Sequence, residues 1–494
     1  MSLADRYDWI VLGDHPGALL SANLAAKLGL SVLVLTKCSA QKVTFSKAGQ
    51  CLDPESNFIT GMGEKGVLED ALRKLSAMPV DSDVSYTDSY AQVMTPQARL
   101  QIRESLQSTR MELDREFQKD SSERHLIEHG LEISEKVIEY WRAFPARLSL
   151  TVLQNQKKKN TKESPANWDD LLKKIQPKSN AKSNSELCAA LSYGFTGQLP
   201  GKWNLAEWSH ALALAPSGAS FRGGMTAYRK HLLGTAKKMG ATIVDDSECR
   251  RIFIENRRFL GVQIARTGNM IPASGCILGA SISEFADRMS FTGIKWMGKK
   301  NPPKPVGWRF TLALTVAKEA IAPGLSRRVI WKEPSAPVLE IEVADPSDYG
   351  AKHADQKLIF LRTVLPFTQE SLVVSYQRMV AARMFRAATE IIPFLEKHVI
   401  KVYPDFRYAE TASPERIENA DELSEVYNFA IPQVIPENLR IYDTTNDDTS
   451  TGVEGLFVAA GDSFPKLGSL GPTVSAIEAT AWIAHRSGLS GPFA

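Results

Sequence analysis

The amino-terminal apolar positions follow a strand pattern, then a helix pattern, then a second strand pattern. Residues Trp9 to Leu12 are continuously apolar, and Leu and Ala recur at helical spacing from Ala18 to Leu28. Gly29 stands where a helix-ending glycine is expected, and a second apolar run covers residues 31–35. Two strands that are apolar on both faces and joined by a helix are typical of parallel pairing. The pattern therefore predicts a βαβ unit at the start of an α/β domain.

The rest of the chain alternates between helical and strand periodicities. Helices are predicted within 96–144 with a break near 119–122, over about 225–239, from 376 to about 402 with an interruption at Pro393, and from 473 to about 485. Strands are predicted over 241–244, 249–254, 259–264, 276–278, 310–316, 328–331, 338–343, 358–364 and 455–459. The middle of the chain is therefore expected to be helical first and mostly sheet afterwards.

Composition narrows the class of protein. The chain has 494 residues, of which 43% are hydrophobic and 23% charged, as in globular proteins with more than one structural unit. A net charge of +3 is too small to indicate nucleic acid as a partner. Five cysteines without a Cys-x-x-Cys pair favour a reducing, cytoplasmic compartment, and the eight histidines lack the spacing of a metal site. No apolar run has the length of a membrane span.

The turn after the first strand is the first candidate site. Gly13 and Ala18 fit the first and third positions of the dinucleotide fingerprint Gly-x-Gly-x-x-Gly/Ala, while His15 replaces the middle glycine. Pro16 and Gly17 complete the turn, which points backbone N–H groups and a helix N-terminus at an anion. A βαβ unit without a nucleotide explains the same residues, so the turn alone leaves both interpretations open.

Two further positions in this half depart from the fingerprint. The acid that bonds the ribose about 20 residues later is replaced by Thr36 and Lys37. Thr36 and Lys37 can bind an adenosine phosphate, and the alternative for Lys37 is a solvated position at a strand end. His15 can pair with a phosphate as a cation, or its side chain can exclude the dinucleotide from close backbone approach. Each pair of alternatives stays open.

The carboxyl-terminal segment carries the stronger motif. An apolar strand ends in Gly461-Asp462, and a Gly/Pro-rich loop leads to a helix that begins at Gly471, Pro472 and Thr473. This arrangement resembles the second FAD signature of the flavin amine oxidase and phytoene desaturase superfamily. The resemblance implies that Asp462 bonds the pyrophosphate or ribityl region of FAD. It also implies that the helix N-terminus faces the flavin pyrimidine ring, whose negative charge after reduction a helix dipole stabilises.

The resemblance continues through the middle of the chain. A Gly-Gly turn within Phe221–Met225, a helix, a strand beginning at Cys249 and a hairpin ending in Gly261-Val262 follow the family order. Cys249 takes the place of a residue whose backbone contacts adenine in the family. A Gly-Gly pair that family members carry after the second strand is absent here. The segment Lys157–Lys182 matches least.

Together these features predict an FAD/NAD(P)-binding Rossmann-like α/β domain of the two-dinucleotide-binding flavoprotein type, with an inserted α+β substrate domain. Residues 1–90, 215–300 and 440–494 are expected to form the FAD-binding domain, and 91–214 and 301–439 the substrate domain. The first hypothesis is an FAD-dependent oxidoreductase acting on an apolar or amine-like small molecule, with no catalytic side chain assigned. The second is a degenerate, non-catalytic family member that serves as a scaffold or assembly partner.

The lysine-rich segment Lys157–Lys182 is the remaining candidate for an interaction. Eight lysines against three acidic residues predict an exposed loop or helix edge. Contact with an anionic membrane surface, or with another protein, is the alternative. Trp168 is its only aromatic residue, which disfavours nucleic acid. The sequence does not predict an oligomeric state.

Overall fold

Two eight-stranded sheets organise the chain in the computed structural model. The structure describes residues 3–36, 45–47, 50–52, 56–63, 66–80, 83–86, 89–103, 106–134, 136–137, 139, 143, 186–196, 212, 218–245, 248–265, 268–280, 285, 288–292, 305–334, 336–344, 354–403, 431–434, 451, 453–460 and 465–489. Among the residues singled out from the sequence, Lys37, Gly461, Asp462 and the segment Lys157–Lys182 lie outside this set.

The described elements have the following bounds. The strands are β1 (Tyr7–Leu12), β2 (Val32–Leu35), β3 (Phe45–Lys47), β4 (Gln50–Leu52), β5 (Phe58–Thr60), β6 (Val84–Tyr86), β7 (Ser89–Met94), β8 (Arg99–Arg103), β9 (Gly218–Phe221), β10 (Thr242–Val244), β11 (Cys249–Glu255), β12 (Arg258–Ile264), β13 (Met270–Leu278), β14 (Met289–Thr292), β15 (Pro305–Ala317), β16 (Arg328–Trp331), β17 (Leu339–Ala344), β18 (Gln356–Pro366), β19 (Val399–Tyr403), β20 (Ile431–Val434) and β21 (Leu456–Val458). The helices are α1 (Pro16–Lys27), α2 (Val67–Lys74), α3 (Leu106–Glu116), α4 (Ser122–Glu132), α5 (Glu186–Thr196), α6 (Gly224–Lys238), α7 (Val374–Ile391), α8 (Leu395–His398) and α9 (Gly471–Arg486).

The first sheet contains a parallel core in the order β10-β2-β1-β13-β21. Its strands come from all three segments that the sequence predicts for the FAD-binding domain. β13 pairs with β12 through its first residues and with β21 through its last. An extension of β12, β11 and β14 therefore leaves the core at one end, with antiparallel pairs except between β11 and β14. The carboxyl ends of the five parallel strands therefore meet at one edge of the sheet.

Three helices cover one face of this sheet. α1 packs between α6 and α9, and their apolar side chains form one buried cluster with Trp9 and Val11 of β1. Two buried polar side chains tie the helices together. The Ser21 hydroxyl donates to the carbonyls of Gly17 (3.0 Å) and Ala476 (3.5 Å). The Asn23 amide donates to the carbonyls of Leu19 and Leu232.

The second sheet has the order β19-β15-β18-β17-β16-β7-β8, with β20 paired to β15. Its pairs are antiparallel except β16 with β7. α7 covers one face, where Leu312, Ile341 and Phe360 are fully buried. α5 contacts β7 and β16, and its Tyr193 packs in a separate apolar cluster with Ile330. The second sheet is thus a packed layer between helices.

The predicted fold class is confirmed, and most predicted elements are present within a few residues of their expected bounds. α1 ends at Lys27 and Gly29 follows with a φ of +81°, as the helix-ending glycine requires. The predicted break near 119–122 separates α3 from α4. The domain boundaries drawn from the sequence stay predictions.

Two helical predictions are wrong. Arg99–Arg103 forms strand β8, in which buried and partly exposed side chains alternate, although the sequence suggested helix from residue 96. The helix expected to reach residue 402 ends at Ile391. Phe394 beyond Pro393 has a φ of +67°, and Val399–Tyr403 then pairs with β15 as β19. In both places strand pairing overrides local helical propensity, because β8 forms a hairpin with the preceding strand β7 and β19 pairs with the distant strand β15.

In the part of the chain that the structure describes, no helix combines the length and apolar character that a membrane crossing needs.

Candidate nucleotide-binding site

The turn between β1 and α1 has the backbone shape of a dinucleotide fingerprint. Gly13 has a φ of +102°, a conformation that strains any residue with a β-carbon, and its N–H donates to the Leu35 carbonyl (2.8 Å). Ala18 approaches the end of β13 so closely that a β-carbon on Gly279 would lie 2.9 Å from the Ala18 methyl carbon. The first and third fingerprint positions therefore provide the sharp turn and the close helix–strand packing that the motif requires.

His15, at the middle fingerprint position, caps α1. It is half-buried with extended backbone angles, and its Nδ1 accepts a hydrogen bond from the Gly17 N–H (3.3 Å). Pro16, the first helical residue, has no N–H to offer. The imidazole side chain therefore serves the first turn of α1 where a phosphate would otherwise be the acceptor. This bond also requires an unprotonated Nδ1, because an imidazolium has no acceptor lone pair. The cap and a phosphate-pairing cation are therefore alternative states of His15.

Gly17 lies where α1 meets the start of α9. A β-carbon there would lie 2.6 Å from the Ala459 carbonyl oxygen and 2.7 Å from that of Pro472. Both contacts are with backbone, which cannot move aside as a flexible side chain can. Gly17, which the sequence assigned to the cofactor, thus joins the two terminal halves of the domain.

The N-terminus of α9 is organised differently. A 3₁₀ segment, Pro465–Leu470, precedes it, and no side chain caps the helix at Leu470. Gly471 and Thr473 are buried and Pro472 is partly exposed. The Ser475 hydroxyl donates to the carbonyls of Gly471 (2.9 Å) and Ala460 (3.4 Å), which places the end of strand β21 against this first turn. The roles assigned to Gly461 and Asp462, just beyond Ala460, stay predictions.

A second glycine loop packs against the start of α9 and was not identified from the sequence. Gly61, Gly63 and Gly66 have the full Gly-x-Gly-x-x-Gly spacing between β5 and α2, and the first two have positive φ. The Leu68 N–H donates to the Gly61 carbonyl, and the Glu69 carboxylate accepts from the Gly63 N–H (3.0 Å). The Gly63 and Leu68 N–H groups are therefore bonded within the chain, and the Glu69 carboxylate lies against the loop, which does not suit a phosphate.

The glycine loop has a packing role instead. The Thr60 N–H donates to the Ser469 hydroxyl (2.8 Å), and a β-carbon on Gly61 would lie 2.8 Å from the Leu470 side chain. A β-carbon on Gly66 would overlap the Gly61 carbonyl oxygen. The spacing of the glycines was visible in the sequence, whereas the segment against which they pack is more than 400 residues away in the chain.

A carboxylate lies at the carboxyl end of β2, but it follows β10 and not β2 as expected. Thr36, at the position of the usual ribose-binding acid, is 5% exposed, and its hydroxyl donates to Asp245 Oδ1 (3.2 Å) and lies 3.4 Å from the Asp245 carbonyl. Asp245 follows β10 and is exposed. Cys249, the predicted adenine contact, is 2% exposed in an apolar cluster with Leu33 and Leu35, so only its backbone is suited to that contact.

A buried charged network links the second sheet to β9, which forms a separate three-stranded sheet with β5 and β6. The Glu342 carboxylate accepts from Arg362 (2.7 Å), from the Asn57 N–H (3.2 Å) and from the Ser56 hydroxyl (3.3 Å). Asn57 in turn exchanges two side-chain hydrogen bonds with the backbone of Phe221 in β9. The charged and polar groups of Glu342, Arg362 and Asn57 thus have hydrogen-bond partners within the chain. Buried ion pairs are stable only when their groups are bonded in this way.

Glu340 forms the second pair of this network. Its carboxylate accepts from Arg328 Nε (2.8 Å), and both side chains are nearly inaccessible. Burial alone raises the pKa of Glu340, but the attraction of Arg328 and Arg362 outweighs it and holds the pKa below its usual value. Glu340 is therefore a carboxylate at neutral pH. Burial likewise raises the pKa of the Tyr193 hydroxyl nearby, which stays protonated.

The residues at the carboxyl edge of the first sheet fit an adenine dinucleotide with one exception. The positive φ of Gly13, the close packing of Ala18 and the adjacent starts of α1 and α9 provide the shape for a pyrophosphate. Thr36 and Asp245 add polar groups where a ribose would lie. His15 is the exception, because its cap engages the Gly17 N–H.

Comparisons with known proteins support the fold and no closer relationship. No family model matches the sequence, and no curated protein sequence matches it. An oxidoreductase from Methanosarcina mazei has a similar structure, with a TM-score of 0.55 and 14% identity over 94% of this chain and 99% of that one. Putrescine oxidase bound to putrescine has a TM-score of 0.52 and 12% identity over 95% and 98% of the two chains. Cyclohexylamine oxidase from Brevibacterium oxydans has a TM-score of 0.51 and 12% identity over 98% and 99%. This chain is therefore built, over nearly its whole length, on the fold that these oxidoreductases share.

Proposed function

We propose that this chain is an FAD-dependent oxidoreductase of the phytoene desaturase-like type that acts on an apolar or amine-like small molecule. The observation that carries the proposal is the adjacency of two helix N-termini at the carboxyl edge of the parallel sheet. A β-carbon on Gly17, the second residue of α1, would touch the carbonyl of Pro472, the second residue of α9. In open α/β sheets, ligands bind outside this edge.

Different residues of the chain would hold different parts of such a cofactor. Gly13 and the start of α1 would hold the pyrophosphate, and the first turn of α9 would stabilise negative charge at the pyrimidine end. Bound FAD would supply the acceptor for hydride removed from the substrate. The putrescine and cyclohexylamine oxidases with this fold motivate the amine-like class, since their names state amine substrates. No side chain is assigned a catalytic role.

Spectroscopy and titration test this proposal. The full-length protein is purified, its visible spectrum recorded, and apoprotein titrated with FAD by quenching of flavin fluorescence. We expect a saturable complex with one FAD per chain. Gly13→Ala should weaken binding because it strains the turn. Gly29→Ala is the matched control: Gly29 also has a positive φ, but it lies at the opposite end of α1 with nothing near its missing β-carbon.

A second candidate function is favoured by the His15 cap. If the bond from the Gly17 N–H to His15 excludes the pyrophosphate, the chain keeps the fold as a non-catalytic scaffold or assembly partner. A colourless protein that binds no added FAD supports this alternative and contradicts the oxidoreductase proposal. Mass spectrometry of the supernatant after denaturation identifies any other nucleotide carried through purification.

A further inference from the structure

Strand register brings an acid to the ribose side of the sheet from an unexpected strand. β10 and β2 are parallel neighbours with Val244 opposite Leu35, so Asp245 and Thr36 are the next residues at the same edge. Thr36 is buried and uncharged at the position where a ribose-binding acid is expected, whereas Asp245 is exposed and ionisable. The two are 209 residues apart in sequence.

The hydrogen bond between them orients the carboxylate. The Thr36 hydroxyl donates to Asp245 Oδ1 at 3.2 Å, which fixes that oxygen over the end of β2. No hydrogen bond to Oδ2 is found among the described residues. A carboxylate with one oxygen held and the other accessible is suited to accept hydrogen bonds from the adjacent hydroxyls of a ribose.

We propose that Asp245 binds the adenosine ribose of the cofactor, replacing the acid that is missing at Thr36, and that Thr36 is its positioning residue. This inference rests on the proposed FAD-binding function and adds the residue that selects the sugar. A carboxylate here favours a ribose with free hydroxyls and repels one that carries a 2′-phosphate, as charge repulsion requires.

A purely structural bond between strands is the competing explanation, and the chain provides a control for it. Asp8 at the amino end of β1 accepts from the Ser31 N–H (2.8 Å) and hydroxyl (2.7 Å), so it also links a carboxylate to a neighbouring strand by a hydroxyl. It lies at the opposite edge of the same sheet. Asp8→Asn therefore perturbs a similar bond far from the candidate site.

The test is calorimetric binding to the full-length protein and to the variants Asp245→Ala, Thr36→Val and Asp8→Asn. The probes are FAD, ADP, and ADP lacking the 2′ or the 3′ hydroxyl. We expect Asp245→Ala to weaken FAD and ADP by roughly 10-fold to 100-fold, as loss of a bond to a charged acceptor does. The variant should also lose the preference of the wild type for ADP over at least one deoxy analogue. Thr36→Val should show a smaller loss, and Asp8→Asn none.

The outcomes separate this inference from the proposed function. Wild-type protein that binds neither FAD nor ADP overturns both. Wild-type protein that binds FAD, with Asp245→Ala unchanged or with no preference between ADP and its deoxy analogues, overturns only the role of Asp245. An equal loss in Asp8→Asn also overturns it, because the effect would then come from the stability of the sheet.

Discussion

Helices α1 and α9 begin side by side, yet their first turns are completed in different ways. The first residue of α1 is a proline, and the His15 side chain accepts a hydrogen bond from the N–H of the second residue, Gly17. The N-cap residue of α9 is Leu470, whose side chain makes no capping hydrogen bond, and a 3₁₀ segment precedes it. Gly17 lies between the middle and third fingerprint positions and is required by packing, because its missing β-carbon makes room for the Ala459 and Pro472 carbonyls. A nucleotide-type turn can therefore be retained for contacts within the chain as well as for a ligand.

We expect the greatest loss of stability from changes in the charged network, whose carboxylates are hydrogen-bonded within the chain. Glu342→Ala leaves Arg362 buried without its carboxylate and should lower the free energy of unfolding by about 3–5 kcal/mol. Urea unfolding followed by circular dichroism measures this. Asp70→Ala, which breaks the exposed pair with Lys74, is the control and should cost less than about 1 kcal/mol. Equal effects would contradict the network as a fixed link between the second sheet and β9.

The next prediction tests the packing contact between α1 and α9. Gly17→Ala places a methyl group against two backbone carbonyls and should destabilise the protein by about 3 kcal/mol. Gly234→Ala is the matched control, because Gly234 lies within α6 with nothing around its missing β-carbon. That change should stabilise by about 0.5–1 kcal/mol through helix propensity. A neutral Gly17→Ala variant would mean that α1 and α9 are not in the close contact described.

The pH dependence of stability tests how the buried, paired carboxylate of Glu340 differs from the exposed carboxylate of Asp245. Its folded-state pKa is lowered, so its pairing stabilises the protein above the usual pKa of 4.5 and is lost as pH falls through the lower folded value. The stability difference between wild type and Glu340→Gln should therefore be constant near neutrality and shrink below about pH 4.5. A difference that stays constant in acid would contradict the lowered pKa.

The smallest effect on stability concerns the cap itself. His15→Gly should cost a few tenths of a kcal/mol, because glycine is tolerated before a helix. It also frees the Gly17 N–H, so FAD affinity should rise by about tenfold. If His15 instead pairs with a phosphate, the same variant should bind FAD more weakly, and the loss should be larger at acid pH. An unchanged affinity would contradict both roles.

Local periodicity predicted many of the strands and helices in and around the first sheet. The runs around β1, α1 and β2 have the regular burial that their sequence indicates, and Gly29 ends α1 at its expected place. Val399–Tyr403 was predicted as helix because its pairing partner β15 lies far away in the chain. Arg99–Arg103 was also predicted as helix, although it pairs with Ser89–Met94, the strand immediately before it. The pattern of neighbouring residues does not show that a strand from a distant segment will pair with them.

The candidate site was less predictable than the fold for the same reason. Gly13 and Ala18 were found because the fingerprint is local. The contact of Thr36 with Asp245 depends on strand order, and the contact of Gly17 with α9 depends on the opposite end of the chain. The His15 cap depends on a rotamer that the sequence does not specify.

The most direct test of the central claim, that this fold still binds its flavin, is a fluorescence titration of the full-length chain and of His15→Gly with FAD at neutral pH. We predict saturable binding of one FAD per chain by the wild type, and binding about tenfold tighter by the variant. Absence of saturable binding by both proteins would contradict the claim and leave the fold as a scaffold.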